Sequence, residues 1–85
     1  MPYIKKEQRQ LKDYSLCRVI NEISSYGDLN YIITKLCQAV VETKGECYDT
    51  YNSLVGALEC CKLEMYRRAI ARYEDKKKEE NSDVY

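Results

Sequence analysis

The chain has 85 residues, with 14 basic and 14 acidic side chains and a formal net charge of zero. This balance argues against a protein dedicated to duplex DNA, and no apolar run approaches the roughly 18 residues that a membrane helix requires. A chain this short is expected to form one domain over residues 1–85. Its small core needs added stability from a disulfide, a metal or a partner subunit.

The cysteines are the first candidates for that added stability. Their number is odd, and no signal peptide is recognised. Cys60 and Cys61 are neighbours on a predicted helix, so their side chains point roughly 100° apart. No disulfide framework is therefore expected. The chain has no histidine and no Cys-x-x-Cys pair, so neither zinc nor a cofactor is expected. The cysteines are interpreted as small buried hydrophobes in a reducing bacterial cytoplasm. They are Cys17, Cys37, Cys47, Cys60 and Cys61.

The N-terminal third predicts a loose segment followed by one helix. Residues 1–12 are polar and basic, with room for a turn or two of helix, and are expected to be loosely attached. Asp13 is a suitable N-cap for a helix over residues 13–25. Gly27 is expected to end this helix, because glycine adopts the left-handed conformation without steric cost.

A second helix is predicted over residues 29–44, with Asp28 as its N-cap and Gly45 at its end. Its apolar residues recur at steps of three and four, which places them on one face. The third helix, over residues 50–78, is longer than a small core requires. Gly56 within it predicts a close helix crossing, and residues 79–85 are expected to form a C-terminal tail.

These patterns predict an all-α fold, a small three-helix domain with a long C-terminal helix. The small core, the long helix and a surplus of tyrosine predict a homo-oligomer, most simply a dimer. The expected core positions are Leu16, Val19, Ile20, Ile23, Leu29, Ile32, Ile33, Leu36, Val40, Leu54, Val55, Leu58, Cys61 and Met65.

The C-terminal half of the long helix carries the candidate binding site: Tyr66, Arg67, Arg68, Arg72 and Tyr73. Arg68 and Arg72 are four residues apart, and the tyrosines are seven apart, so each pair is predicted to share a face. Guanidinium groups bind phosphate through paired donors, and tyrosine rings stack on bases. The alternative is that these arginines pair with Glu64, Glu74 or acids of a neighbouring helix.

Catalysis has little support in this sequence. No histidine is present, and Cys60 and Cys61 lack the base that activates a thiol nucleophile. The carboxylates occur mostly at helix caps and on polar faces, so we expect no enzyme activity and no metal site.

Three stretches resemble a family of short, uncharacterised helical proteins of bacteriophages and prophage-bearing bacteria. They are Gly27–Leu36, Leu58–Arg68 and Tyr73–Lys77, and the likeness extends through Tyr85, with a weak match over residues 1–26. The family pattern has glycine where this chain has Ser82. The resemblance implies an all-α fold and a phage origin, and it brings no known activity.

Two functions fit these expectations. The first is a host-defence antagonist that sequesters a phosphate-bearing nucleotide signal in pockets between subunits. The second is a protein-interaction module that blocks a host protein through a helical face. Both place the chain in the cytoplasm of a bacterial host.

Overall fold

The computed structural model describes residues 4–85, and every regular element in that range is helical. The elements are α1 (Lys6–Asn21), α2 (Tyr26–Lys44), α3 (Tyr48–Met65), a π-helical turn (Tyr66–Ile70) and α4 (Ala71–Asn81). The predicted all-α class is confirmed. Expectations for residues 1–3 lie outside the described residues. The chain divides into two compact units on either side of the Glu46–Cys47 bond.

The first helix begins earlier than predicted. It starts at Lys6, seven residues before the predicted start at residue 13, and Asp13 therefore lies inside it and does not cap it. The first turns are rich in lysine, glutamate, glutamine and arginine, which form helices well even without an apolar stripe. The helix ends at Asn21, before the predicted stop at Gly27.

Ser25, and not Asp28, is the N-cap of α2. The Ser25 hydroxyl oxygen accepts a hydrogen bond from the Asp28 N–H at 3.0 Å. The Asp28 carboxylate accepts hydrogen bonds from the Ser24 N–H at 3.0 Å and the Ser24 hydroxyl at 2.9 Å. These bonds lower the pKa of Asp28, the Ser24 N–H having the largest effect. Gly27 is therefore in the first turn of α2, whereas Gly45 ends that helix as predicted, with φ of 96°.

The second unit contains one long helical stretch. It begins at Tyr48 and ends at Asn81, close to the predicted bounds of 50 and 78. Met65 and Ala71, which flank the π-helical turn, both have right-handed helical dihedral angles, so the chain continues through it without a break. Ser82 follows the helix at φ of 69°, a conformation that favours glycine.

The predicted apolar core does not form among residues 4–85. No hydrophobic side chain there is buried, and the one buried residue is Thr50, at 8% exposure. Val19, Ile23, Ile32 and Leu54 are half-buried. The other predicted core residues are exposed: Leu16, Ile20, Leu29, Ile33, Leu36, Val40, Val55, Leu58, Cys61 and Met65.

The reason lies in how the helices are placed within the first unit. No Cα atom of α1 lies within 8 Å of one of α2, so neither apolar stripe has a helix of the same unit against it. An apolar stripe leaves water only when another element covers it. The cysteines follow the same pattern: all five are free, Cys37 and Cys60 are half-buried, and the other three are exposed.

Gly56 is also more open than predicted. A Cβ atom added there would meet no neighbouring atom within 4 Å, so no close helix crossing occurs at this position. Among the helices of residues 4–85, none is both long enough and apolar enough to cross a membrane.

Candidate functional site

The candidate site lies on the π-helical turn. The Ala71 N–H donates to the carbonyl oxygen of Tyr66, five residues earlier. Such a turn accommodates one extra residue within an α-helix, and these turns occur frequently at functional sites. Tyr66, Arg67 and Arg68 are within the turn, and Arg72 and Tyr73 follow it directly. We call these five residues the arginine–tyrosine cluster.

The turn changes which side chains share a face. An uninterrupted α-helix would place Tyr66 and Tyr73 about 20° apart around the axis, whereas the inserted residue separates them by roughly 120°. The prediction of a shared tyrosine face assumed a regular helix, and the π-helical turn overturns it. Only part of the turn lies between Arg68 and Arg72, so these two remain on one face.

Two of the three arginines are paired within the helix. Glu64 Oε1 accepts a hydrogen bond from Arg67 Nη2 at 2.9 Å and from Arg68 Nη1 at 3.4 Å. The glutamate side chain is 27% exposed, against 70% for Arg67 and 60% for Arg68. The alternative interpretation, pairing with Glu64, therefore applies to both arginines. Exposed pairs of this kind contribute at most about 1 kcal/mol each, so an incoming anion can compete for them.

Arg72 differs from its two neighbours. Among residues 4–85, no carboxylate lies within 4.0 Å of its guanidinium, and the side chain is exposed. A guanidinium keeps its charge at all physiological pH values and presents paired donors to phosphate. Arg72 is therefore the member of the cluster most available to an anion.

The tyrosines provide exposed rings beside these charges. Tyr66 is 53% exposed and Tyr73 is 61% exposed. The Lys77 Nζ lies 5.5 Å from the centroid of the Tyr73 ring and also donates to Glu80 at 3.1 Å. A ring that already interacts with one cation presents its other face to a ligand. Stacking on such a face contributes about 1–3 kcal/mol per base.

A single helix offers the cluster only a convex surface. The Glu64 carboxylate pairs with the guanidinium groups of Arg67 and Arg68. With Arg72, this leaves three positive charges to one paired negative charge on this part of the helix. Such a surface can bind a phosphate group electrostatically. A pocket that encloses a nucleotide needs a second surface facing it.

Sequence reasoning missed one chemically distinctive residue, Cys47. It is the N-cap of α3, it is exposed, and its Sγ lies 3.4 Å from the Thr50 hydroxyl oxygen. Hydrogen bonds from the Thr50 side chain and backbone lower the pKa of the Cys47 thiol. A threonine three residues after a cysteine at a predicted helix start is the signal that could have identified it. Within residues 4–85 no three metal-ligating side chains cluster together.

Fold and site together define a small all-α protein with an exposed cationic and aromatic surface. The chain belongs to the DUF6899 family, a domain of unknown function, whose family model matches residues 1–84. The match includes residues 1–26, where the resemblance noted from the sequence is weak. No curated protein and no solved structure matches the chain. Functional conclusions therefore rest on its own residues.

Proposed function

We propose that this protein is a non-enzymatic binding protein that self-associates and sequesters a phosphate-bearing nucleotide between its subunits. The arginine–tyrosine cluster supplies one wall of the pocket, and a second subunit supplies the other. In this proposal the protein acts in the cytoplasm of a bacterial host as a phage-derived antagonist of nucleotide-based defence signalling.

The observation that carries the proposal is the state of Arg72. Its guanidinium has no carboxylate within ion-pair distance among residues 4–85, and it lies one turn from Arg68 on the same face. An exposed arginine without an acidic partner retains its full capacity for charge-assisted hydrogen bonds. Tyr73 follows Arg72 in the chain, about 100° around the helix axis from it, and provides an exposed ring on which a base can stack.

The lack of a buried apolar core among residues 4–85 supports the subunit arrangement. Exposed leucine, isoleucine and valine side chains occur on α1, α2 and α3. Small domains commonly obtain missing stability through oligomerisation. The same association would bring a second surface to the convex cluster and enclose a ligand.

The biological setting is inferred from the family resemblance. The resemblance to phage and prophage proteins suggests a mobile-element origin, and small phage proteins without catalytic machinery often act by binding. A nucleotide signal fits both this setting and the chemistry of arginine with tyrosine.

The test is calorimetry of the purified protein against a panel of cyclic and ADP-ribose-type nucleotides. We expect heat with at least one nucleotide and weaker binding at high salt, because ions screen exposed charges. If the folded, oligomeric protein gave no heat of binding with any nucleotide of the panel, the nucleotide proposal would be overturned.

One observation favours the alternative, a module that binds and blocks a host protein through a helical face. Leu16 and Ile20 of α1 are four residues apart on one helix face and are 42% and 59% exposed. Adjacent exposed apolar side chains of this kind can form part of a partner-binding surface. Under this alternative no nucleotide of the panel gives heat of binding, and the purified protein retains exposed apolar surface even in its oligomeric form. Binding of a dye specific for apolar surface, measured on the oligomer, distinguishes the two.

A further inference from the structure

One helix presents an apolar seam with the spacing of a coiled coil. In α2, Leu29, Ile33, Leu36 and Val40 follow one another at steps of four, three and four residues. At about 100° per residue these side chains fall within a strip roughly 60° wide. They are exposed by 40%, 38%, 56% and 39%. We call these four residues the α2 seam.

Tyr31, Thr34 and Lys35 of α2 are on the face opposite the seam. Lys35 lies over the Tyr31 ring at 5.6 Å, and the Thr34 hydroxyl donates to the Asn30 carbonyl oxygen at 2.8 Å. These local interactions occupy side chains that project away from the seam. The positions flanking the seam include Ile32, Cys37 and Ala39, none of which is charged, so no like charge opposes a second seam.

We infer that the α2 seam packs against the α2 seam of a second copy of this chain. In heptad positions, Leu29 and Leu36 are at d, and Ile33 and Val40 are at a. Among parallel coiled coils, β-branched residues at a with leucine at d favour two strands over three or four. The inference rests on the self-association in the proposed function and assigns that association to one surface.

The exposure of the seam agrees with this occupant. Each of its four apolar side chains is more than a third exposed, and α1 does not cover them. A second copy would remove them from water.

The test compares two single glutamate substitutions on the same helix by sedimentation velocity at micromolar concentration. L36E places a charge in the seam, whereas Q38E places the same charge about 200° away around the axis. We expect wild type and Q38E to be dimers, and L36E to dissociate with at least a tenfold higher dissociation constant. A monomeric wild type, or an L36E dimer as tight as that of Q38E, would overturn the inference.

A photo-crosslinking residue at position 36 keeps the inference testable if L36E does not fold. In a mixture of isotopically light and heavy protein, the crosslink should join copies and fall within residues 29–40 of the second copy. Crosslinks to another segment, or only within one copy, would contradict the inference. Nucleotide calorimetry tests the proposed function independently of the seam. A seam dimer that binds no nucleotide would refute the proposed function alone. A nucleotide-binding oligomer that L36E leaves intact would refute the seam alone.

Discussion

The backbone N–H of Ala71 donates its hydrogen bond to the carbonyl oxygen of Tyr66, five residues earlier, where a regular α-helix would use the fourth. This single bond rotates everything that follows it relative to the preceding helix. It keeps Arg68 and Arg72 on one face and separates the two tyrosine rings. Tyr73 follows Arg72 directly in the chain, about 100° around the helix axis from it, and Tyr66 reaches another side of the helix.

Glu64 competes with phosphate for the guanidinium groups of Arg67 and Arg68. E64Q removes the carboxylate that accepts from Arg67 and Arg68, so both guanidiniums lose this ion pair and nucleotide affinity should rise. The expected gain is up to about fivefold, because an exposed ion pair contributes at most about 1 kcal/mol. Calorimetry measures the gain.

E59Q is the matched control, because Glu59 pairs with Lys62 at 3.1 Å and lies outside the cluster. It should leave nucleotide affinity unchanged. A loss of affinity in E64Q would show instead that Glu64 positions the arginines for the ligand.

Two glycines should respond to alanine in opposite directions. Gly56 has open space around it in a helix interior, so G56A should raise the free energy of unfolding by about 0.5–1 kcal/mol. Gly45 has a positive φ, so G45A should lower it by at least about 1 kcal/mol. Urea unfolding measures both. A destabilised G56A protein would indicate that another chain packs on this position.

The start of α2 should give a pH-dependent contribution to stability. The pKa of Asp28 is lowered in the folded chain, chiefly by the Ser24 N–H, so its charged form favours folding. That contribution is complete above the unfolded pKa of about 4 and is lost as pH falls through the lower, folded pKa. D28N should therefore be less stable than wild type at neutral pH.

The difference between D28N and wild type should shrink as pH falls through the lowered pKa of Asp28, since the carboxyl group then loses its charge. Urea midpoints measured across this range provide the check. A difference that persists unchanged at the acid end would show that the carboxylate charge is not what stabilises the helix start.

Local patterns predicted the helices better than their ends. Steps of three and four residues identified α2 and the long helix, and Gly45 ended α2 because its positive φ suits glycine. The start of α1 was missed because helix propensity without an apolar stripe leaves no periodic signal. At α2, Asp28 had the chemistry of an N-cap, but Ser25 took that position while Asp28 bonded back to Ser24.

The core and the site could be predicted only in part, for physical reasons. An apolar stripe identifies which face of a helix avoids water, but it does not say which chain covers that face. The residues of the arginine–tyrosine cluster were visible in the sequence, and so was the pairing of Glu64 with its arginines as an alternative. The π-helical turn could not be predicted from the sequence. Its extra residue depends on backbone hydrogen bonding, and no residue type at Tyr66–Ile70 requires it.

The most direct test of the central claim is calorimetry of R72A against the nucleotide that wild type binds, with R18A, an exposed arginine of α1, as control. Removing charge-assisted hydrogen bonds worth about 1.5–3 kcal/mol should weaken binding roughly tenfold to a hundredfold. The melting temperature should change little, because exposed charges contribute little to folding, and R18A should bind like wild type. An R72A protein with unchanged affinity and a lowered melting temperature would contradict the account, because Arg72 would then be a structural residue.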